Sequence, residues 1–286
     1  MANGKWKKYS RMMDPHQMPF GVLLRRWRGQ RRMTQTDLAL AAESSTRHLS
    51  CLETGKAQPS REMVTRLAEC LDIPLRDRNT FLLTAGFAPA FPERSVAGLE
   101  AAKVAIDSVL RAHNPYPAIA VDRHWNVVLS NAALPQLYEG CSADLMRKPV
   151  NAVRLILHPA GMGPRIVNFA AWRAHTLGLL RQQLAARVDP AIKALLAEVA
   201  GYPTPINSEP LESFGAPQHL ATPLRIWTRF GVVSFINTLT VFGTPNDVTL
   251  AELALEMLFP ADDKTTEIVK QMLEETSMLQ DKQATA

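Results

Sequence analysis

The stretch MTQTDLALAAESSTRHLSCLETG (Met33–Gly55) decides how the first third of the chain folds. Leu38 and Ala41, then Leu49 and Leu52, recur at helical spacing, but the run between the two pairs is polar. Thr34 stands as an N-cap with Asp37 at the third helical position, so a helix opens at Gln35 and runs to Ala42. Ser44 and Ser45 are the next caps, and a further helix follows over Thr46–Glu53, closed by Gly55. In that helix Leu49 and Leu52 face inward, while Thr46, Arg47 and Ser50 share the outward face. The stretch therefore predicts two short helices and a turn rather than one interrupted helix.

On either side the pattern continues. PFGVLLRRWRGQRR (Pro19–Arg32) places Phe20, Leu23, Leu24 and Trp27 at helical spacing with Arg opposite. Ser60 caps a fourth helix, in which Glu62 suits the positive end and Val64, Leu67, Ala68 and Leu71 turn inward; Pro74 stops it. RDRNTFLLTAGF predicts a fifth helix ending at Gly86. APAFPERS (Ala88–Ser95) is rich in Pro and polar residues and predicts a linker. The expected organisation is a basic flexible tail over 1–18, a five-helix domain over 19–87, a linker over 88–96 and a second domain over 97–286.

Residues 1–80 hold 15 Lys and Arg against 8 Asp and Glu, a net +7; the remaining 17 basic and 19 acidic residues give −2, within a total of +5. Positive charge concentrated in one third points to a polyanion, because neutralised phosphates release counterions. The three Cys (Cys51, Cys70, Cys141) are far apart and form no CxxC pair, which indicates neither a disulfide framework nor a zinc site. No apolar run approaches the length of a membrane span, and the basic N-terminus lacks the apolar segment of a secretory signal. A cytoplasmic protein is expected, with no membrane partner.

Beyond residue 96 the pattern changes. A helix over AGLEAAKVAIDSVLRAH is followed by two short strands in YPAIAVDRHWNVVLSN around a turn at Asp122–Trp125. Short helices (Leu134–Tyr138, Asn151–Leu157) and two longer ones (Asn168–Arg187, Pro190–Gly201) come next. Three strands follow, in ATPLRIWTR, GVVSFINTLTVF and TLAELALEMLFP. The last alternates Leu253, Leu255 and Met257 with Glu252 and Glu256, which predicts one buried and one wet face. A polar helix, Asp262–Gln280, ends the pattern. Overall the fold class is α+β: an all-α N-terminal domain, then an antiparallel sheet flanked by helices.

Two helices crossing at a tight turn are what a helix-turn-helix requires, with small and hydrogen-bonding side chains on the outer face of the second for entry into a major groove. Arg47 can bind guanine bidentately, and Thr46, His48 and Ser50 can donate to bases or phosphates. Residues 20–71 resemble the Cro/CI-type (XRE) helix-turn-helix through TQTDLA, LSCLETGKAQPS and LAECLDIP. The resemblance implies DNA contacts from Gln35 and the first turn of the next helix, here Thr46, Arg47 and, one turn on, Ser50. Thr34, Ser45, His48, Lys56 and Arg61 complete the candidate DNA-binding set. It also implies an ion pair of Arg28 with Glu53. This sequence departs from the family at Glu43, where Gly is usual; positive φ there would cost roughly 1 kcal/mol.

The second part resembles a PAS-like sensor and, more closely over residues 97–270, the MmyB-like ligand-binding domain. The resemblance rests on PYPAIAVDRHWNVVLSNAA, PVNAVRLILHPAGMGPRIVNFAAWRAH and TLTVFGTPNDVTLAELALEMLFPAD. It implies a one-component transcription regulator: a DNA reader fused to a small-molecule sensor, acting as a homodimer on a pseudopalindromic double-stranded operator. The residues expected around a ligand are Trp125, Leu155, Phe169, Trp172, Phe235 and Leu239, with Arg154, His158 and Arg165 as candidate cations for a carboxylate head. These aliphatic and aromatic walls favour a small hydrophobic ligand, fatty-acid-like in class; no cofactor is required and no metal site is expected. No nucleophile–base constellation appears, so an enzyme is not expected. The alternative is a helix-turn-helix regulator whose second domain is only a dimerisation or protein-interaction platform.

Overall fold

The computed structural model describes residues 18–94, 100–187, 189–206, 208–209, 222–242, 245 and 247–284. Residues 1–17 of the expected N-terminal tail and 95–96 of the expected linker lie outside the described residues; Met18, expected in the tail, is buried. The chain divides into two units, the first of which joins residues 18–94 with 245 and 247–251.

Residues 18–94 of the first unit form five helices: α1 (Phe20–Gln30), α2 (Gln35–Ala41), α3 (Thr46–Glu53), α4 (Arg61–Cys70) and α5 (Leu75–Thr84). Their inward faces make one core, with Leu24, Leu38, Leu49, Leu52, Leu67, Leu71 and Phe81 fully buried. Close approach of α1 and α3 depends on Gly21, where a Cβ would lie 2.4 Å from the Leu52 carbonyl oxygen and 2.6 Å from that of Glu53. Thr34 caps α2 as expected, in a reciprocal capping box with Asp37, and the Ser45 and Ser60 hydroxyls accept from the third backbone N–H of their helices.

All five helices end alike, with a residue of positive φ that lets two amides reach back to carbonyls of the last turn. Two of these residues are Gly55 and Gly86; the others are Arg32, Glu43 and Asp72, at φ +55°, +50° and +47°. At Glu43 the bonds run from its own N–H to Leu40 and from Ser44 N–H to Ala39. The turn between α2 and α3 therefore has the left-handed backbone that suits Gly, and Glu adopts it.

Residues 88–94, expected as a linker, are built into this unit instead. The Asn79 side chain accepts from the Ala90 and Phe91 amides and donates to the Phe91 carbonyl. Residues 249–251, expected to begin the last strand, belong instead to a helical turn over Val248–Ala251, where the Asp247 carboxylate accepts from the Thr249 and Leu250 amides. This turn (α10, Val248–Ala251) belongs to the first unit: Val248 is buried, its N–H reaches the Pro92 carbonyl at 2.9 Å, and Asp247 pairs with Arg94 at 3.3 Å.

The second unit comprises α6 (Glu100–Ala112), β1 (Ala118–Val121), β2 (Val127–Ser130), a 3-10 turn (Leu134–Tyr138), α7 (Ala152–Leu157), α8 (Phe169–Ala186), α9 (Pro190–Ala200), β3 (Leu224–Thr228), β4 (Gly231–Val241), β5 (Ala254–Pro260) and α11 (Asp263–Ala284). The five strands form one antiparallel sheet in the order β2-β1-β5-β4-β3. The α+β expectation holds. A core of Leu157, Phe169, Trp172, Leu180, Ile192, Ile226, Val233 and Phe235 lies between the sheet and the helices inserted after β2.

The face expected to be wet is the one that matters. Glu256 pairs in register with Ile119 of β1 and Leu239 of β4, and it turns toward the helical layer together with Asn237 and Leu258. Leu253 and Leu255 are buried as expected, but Glu256 is not on a solvated face; Glu252 is held by Arg123 and Arg187.

Candidate functional sites: an exposed helix face and an apolar cavity

α3 is a short helix clamped from below and open above. Leu49 and Leu52 anchor it, and the Ser45 hydroxyl, accepting from His48 N–H, fixes its first turn. Thr46 and Arg47 are exposed, Ser50 and His48 half-buried. Among the described residues Arg47 has no hydrogen bond or ion pair, so its guanidinium is available to an external acceptor. Lys56, just past the helix, is exposed.

The other candidates have internal roles. Thr34 and Ser45 use their hydroxyls as caps. Gln35 donates from its amide to Glu53 Oε2 at 2.8 Å. Glu53 also receives Arg28 at 2.6 and 3.0 Å, while Arg28 donates to the Met33 carbonyl as well. The implied Arg28–Glu53 pair is thus present, and Gln35 braces it at the start of α2. Arg61 donates to the Ala88 carbonyl at 3.3 Å and remains exposed.

In the second unit a cavity of about 70 Å³ opens between the sheet and the helices. Most of its lining is apolar, from Ile119, Leu134, Leu137, Val153, Ile156 and Leu258 among others, with Trp125, Tyr138 and Trp172 as aromatic walls. Trp125 sits at φ +68°, in the turn between β1 and β2. A bulky residue keeps that conformation only when its surroundings demand it. Here its indole N–H donates to Gln183 of α8 at 3.0 Å, and Gln183 donates in turn to the Arg123 carbonyl.

The polar groups in the lining are few: Tyr138, His175, Thr176, Asn237 and Glu256. Asn237 donates to Glu256 at 3.0 Å. Burial pushes the Glu256 carboxyl above the usual carboxylate range, against the opposing effect of that bond. Burial, and the nearby Glu256 charge, push the Tyr138 phenol up, and burial lowers His175. The sequence pattern offered no sign of Glu256 or Asn237 here; only a strand register that sets Glu256 inward could have found them.

Of the expected ligand residues, Trp125 and Trp172 line the cavity. Leu155, Phe169 and Phe235 are buried in the packing around it, and Leu239 is exposed toward the end of β4. The three expected cations are occupied elsewhere. Arg154 makes a forked pair with Glu198 at 2.8 to 3.0 Å. His158 accepts from the Ala160 amide and packs against Tyr202. Arg165 donates to the Leu137 carbonyl. None of the three is among the described cavity-lining residues.

Comparison with protein families matches residues 19–81 to a helix-turn-helix domain and residues 102–272 to the MmyB-like transcription regulator ligand binding domain. A search of curated proteins found no match. Five chains of solved structures match. One is the structure of an RNA-binding light-oxygen-voltage receptor, 12% identical; the alignment covers 96% of this chain and 66% of that chain, at a TM-score of 0.24. Likeness at that score carries no argument about fold or function. Both family matches describe binding modules rather than catalytic ones, and among the described residues no helix is long and apolar enough to cross a membrane. A helix-turn-helix domain followed by the MmyB-like ligand binding domain, the latter matched over more than half the chain, makes this protein a member of the MmyB-like transcription regulator family.

Proposed function

We propose that this chain is a cytoplasmic one-component regulator that reads a double-stranded operator through α3 and senses a small hydrophobic molecule in the cavity of its second unit. One observation carries the DNA half: α3 presents Thr46, Arg47 and Ser50 above a buried Leu49 and Leu52, with the Arg47 guanidinium free of partners among the described residues. Arg suits the paired acceptors of guanine in the major groove, and Lys56 suits the phosphate backbone. Gln35 acts in this reading first as a brace for Glu53. A homodimer matched to a pseudopalindrome accounts for how so short a helix gains affinity, since two half-sites are engaged together.

The sensing half rests on the apolar lining and aromatic walls, which suit an apolar body such as an acyl chain. The expected fatty-acid-like ligand keeps that support for its chain, but its carboxylate finds no Arg or Lys among the described lining residues. No cofactor is needed for such binding. Ligand controls DNA affinity only by favouring one of two dimer geometries.

The test selects a high-affinity duplex from a random library and compares it with a scrambled duplex by fluorescence anisotropy, using wild-type and Arg47→Ala protein. The expected result is that R47A loses about tenfold or more of the discrimination, while salt-sensitive non-specific binding persists. Retained discrimination would overturn the assignment of α3 as the reading helix.

A further inference from the structure

The cavity is small for the acyl chains its lining suits, and one side chain sets the limit. At about 70 Å³ it is less than half the size of the roughly 150 Å³ apolar cavity that takes up a benzene ring. Most of its walls are fixed by what lies behind them. Ile119, Glu256 and Leu258 stand on paired strands, and Leu137, Val153 and Met162 belong to the buried core. Trp125 differs. It stands on the turn between β1 and β2, is half-buried, and its indole makes one hydrogen bond among the described residues.

The row of residues along α8 locates that indole. The helix lines the cavity with Trp172, His175, Thr176 and Leu179, three and four apart on one face. From Trp172 to Leu179 this face runs about 10 Å at 1.5 Å per residue. Gln183 continues the row one turn further but is not among the described lining residues. It holds the Trp125 indole instead, at 3.0 Å. The Trp125 ring therefore closes the cavity at the Leu179 end.

The backbone beneath the ring is firmly held. Trp125 N–H donates to the Asp122 carbonyl at 2.9 Å, and the Trp125 carbonyl accepts from Ala152 N–H at 2.8 Å. The Asp122 carboxylate accepts from the His124 and Asn126 amides. These bonds keep Trp125 at φ +68°, which its bulk disfavours. The Gln183 amide donates to the Arg123 carbonyl at 2.6 Å, which turns its Oε1 toward the indole. A strained backbone aimed at a prepared acceptor places one ring in one position; filling space alone requires neither.

We propose, resting on the sensor reading above, that Trp125 is the specificity-determining stop of the cavity. With its indole docked on Gln183, the site admits a short apolar chain and refuses the end of a longer one.

The experiment measures binding of the n-alkanols from butanol to nonanol to the full-length protein by calorimetry, in wild type, Trp125→Gly and Gln183→Met. In wild type the affinity should rise about three- to fourfold per methylene and stop rising before nonanol. Trp125→Gly removes the ring and suits the left-handed backbone. There the rise should continue for at least two more carbons, so the nonanol-to-butanol affinity ratio grows about tenfold. Gln183→Met keeps the bulk but removes the acceptor that pins the indole, and the ratio should grow severalfold. A Trp125 that only supported the fold would weaken every alkanol by one factor and leave the ratio unchanged.

A wild-type rise unbroken to nonanol overturns the stop and leaves the sensor reading intact. So does a break that stays at the same length once the indole is removed or released. Binding of no alkanol to wild type or to either variant overturns both. The wild-type series and Gln183→Met keep the proposal exposed even if Trp125→Gly fails to fold.

Discussion

Arg28 and Glu53 meet in a two-pronged ion pair, Nε to Oε1 at 2.6 Å and Nη2 to Oε2 at 3.0 Å, linking α1 to the end of α3. Glu53 keeps only 3% of its side chain exposed and also accepts from Gln35. A carboxylate so enclosed depends on its cation, and removing one partner of a buried pair costs about 3 kcal/mol or more. Arg28→Met should therefore lower the stability of the helical unit by about that amount, read as a lower denaturant midpoint. A change below about 0.5 kcal/mol would show the pair to be a surface contact in effect. Because Glu53 closes α3, the same variant should weaken operator binding without touching DNA.

Glu43 occupies a left-handed position at the end of α2, where a Cβ is disfavoured by about 1 kcal/mol. Its side chain is exposed and contributes only a 3.7 Å pairing with Arg66. Glu43→Gly should raise stability by up to about 1 kcal/mol, measured by thermal or urea unfolding. Destabilisation instead would mean that the Arg66 contact outweighs the strain.

Gly21 makes the opposite case. Its backbone φ is ordinary, but a methyl group there would sit inside contact distance of two α3 carbonyl oxygens. Gly21→Ala should push α1 from α3 and cost about 1–3 kcal/mol. Circular dichroism melting checks this; an unchanged midpoint would show that the interface has slack.

The Glu256 carboxyl is held above its unfolded value by burial, so between the unfolded and the folded pKa the folded state carries a proton that the unfolded state has released. The stability tied to neutral Glu256 is fully present below the unfolded value near pH 4.5 and is lost as pH rises through the folded one. Tyr138 and His175 face the same cavity, so the clean measure is a difference. Glu256→Gln should gain in melting temperature relative to wild type as pH rises above that value. A difference that stays flat with pH would mean that Glu256 titrates normally.

Most of the helical unit could be read from residue type. Caps at Thr34, Ser45 and Ser60 and the spacing of Leu38, Leu49 and Leu52 announce themselves locally, because each works within one turn of its own helix. The left-handed end at Arg32 could not, since nothing in an Arg side chain favours positive φ; at Asp72 the residue type tolerates that conformation without announcing it. The cavity was harder for a different reason. Glu256 alternates with Leu255 and Met257 as a solvated residue would, and only its register against Ile119 and Leu239 shows that this face meets helices. Likewise Arg154, His158 and Arg165 had the right charge for an acid ligand, but Glu198, Tyr202 and Leu137 claim them from positions remote in sequence.

The short helix Val248–Ala251 has a topological consequence. It lies in the connection between β4 and β5, the strands that carry Asn237 and Glu256, yet it folds as part of the helical unit. The polypeptide therefore passes between the two units three times instead of once. Neither unit corresponds to an uninterrupted piece of sequence, so a fragment cut after Arg94 would leave Pro92 and Arg94 without the residues that bond them. This regulator is laced together rather than strung in series.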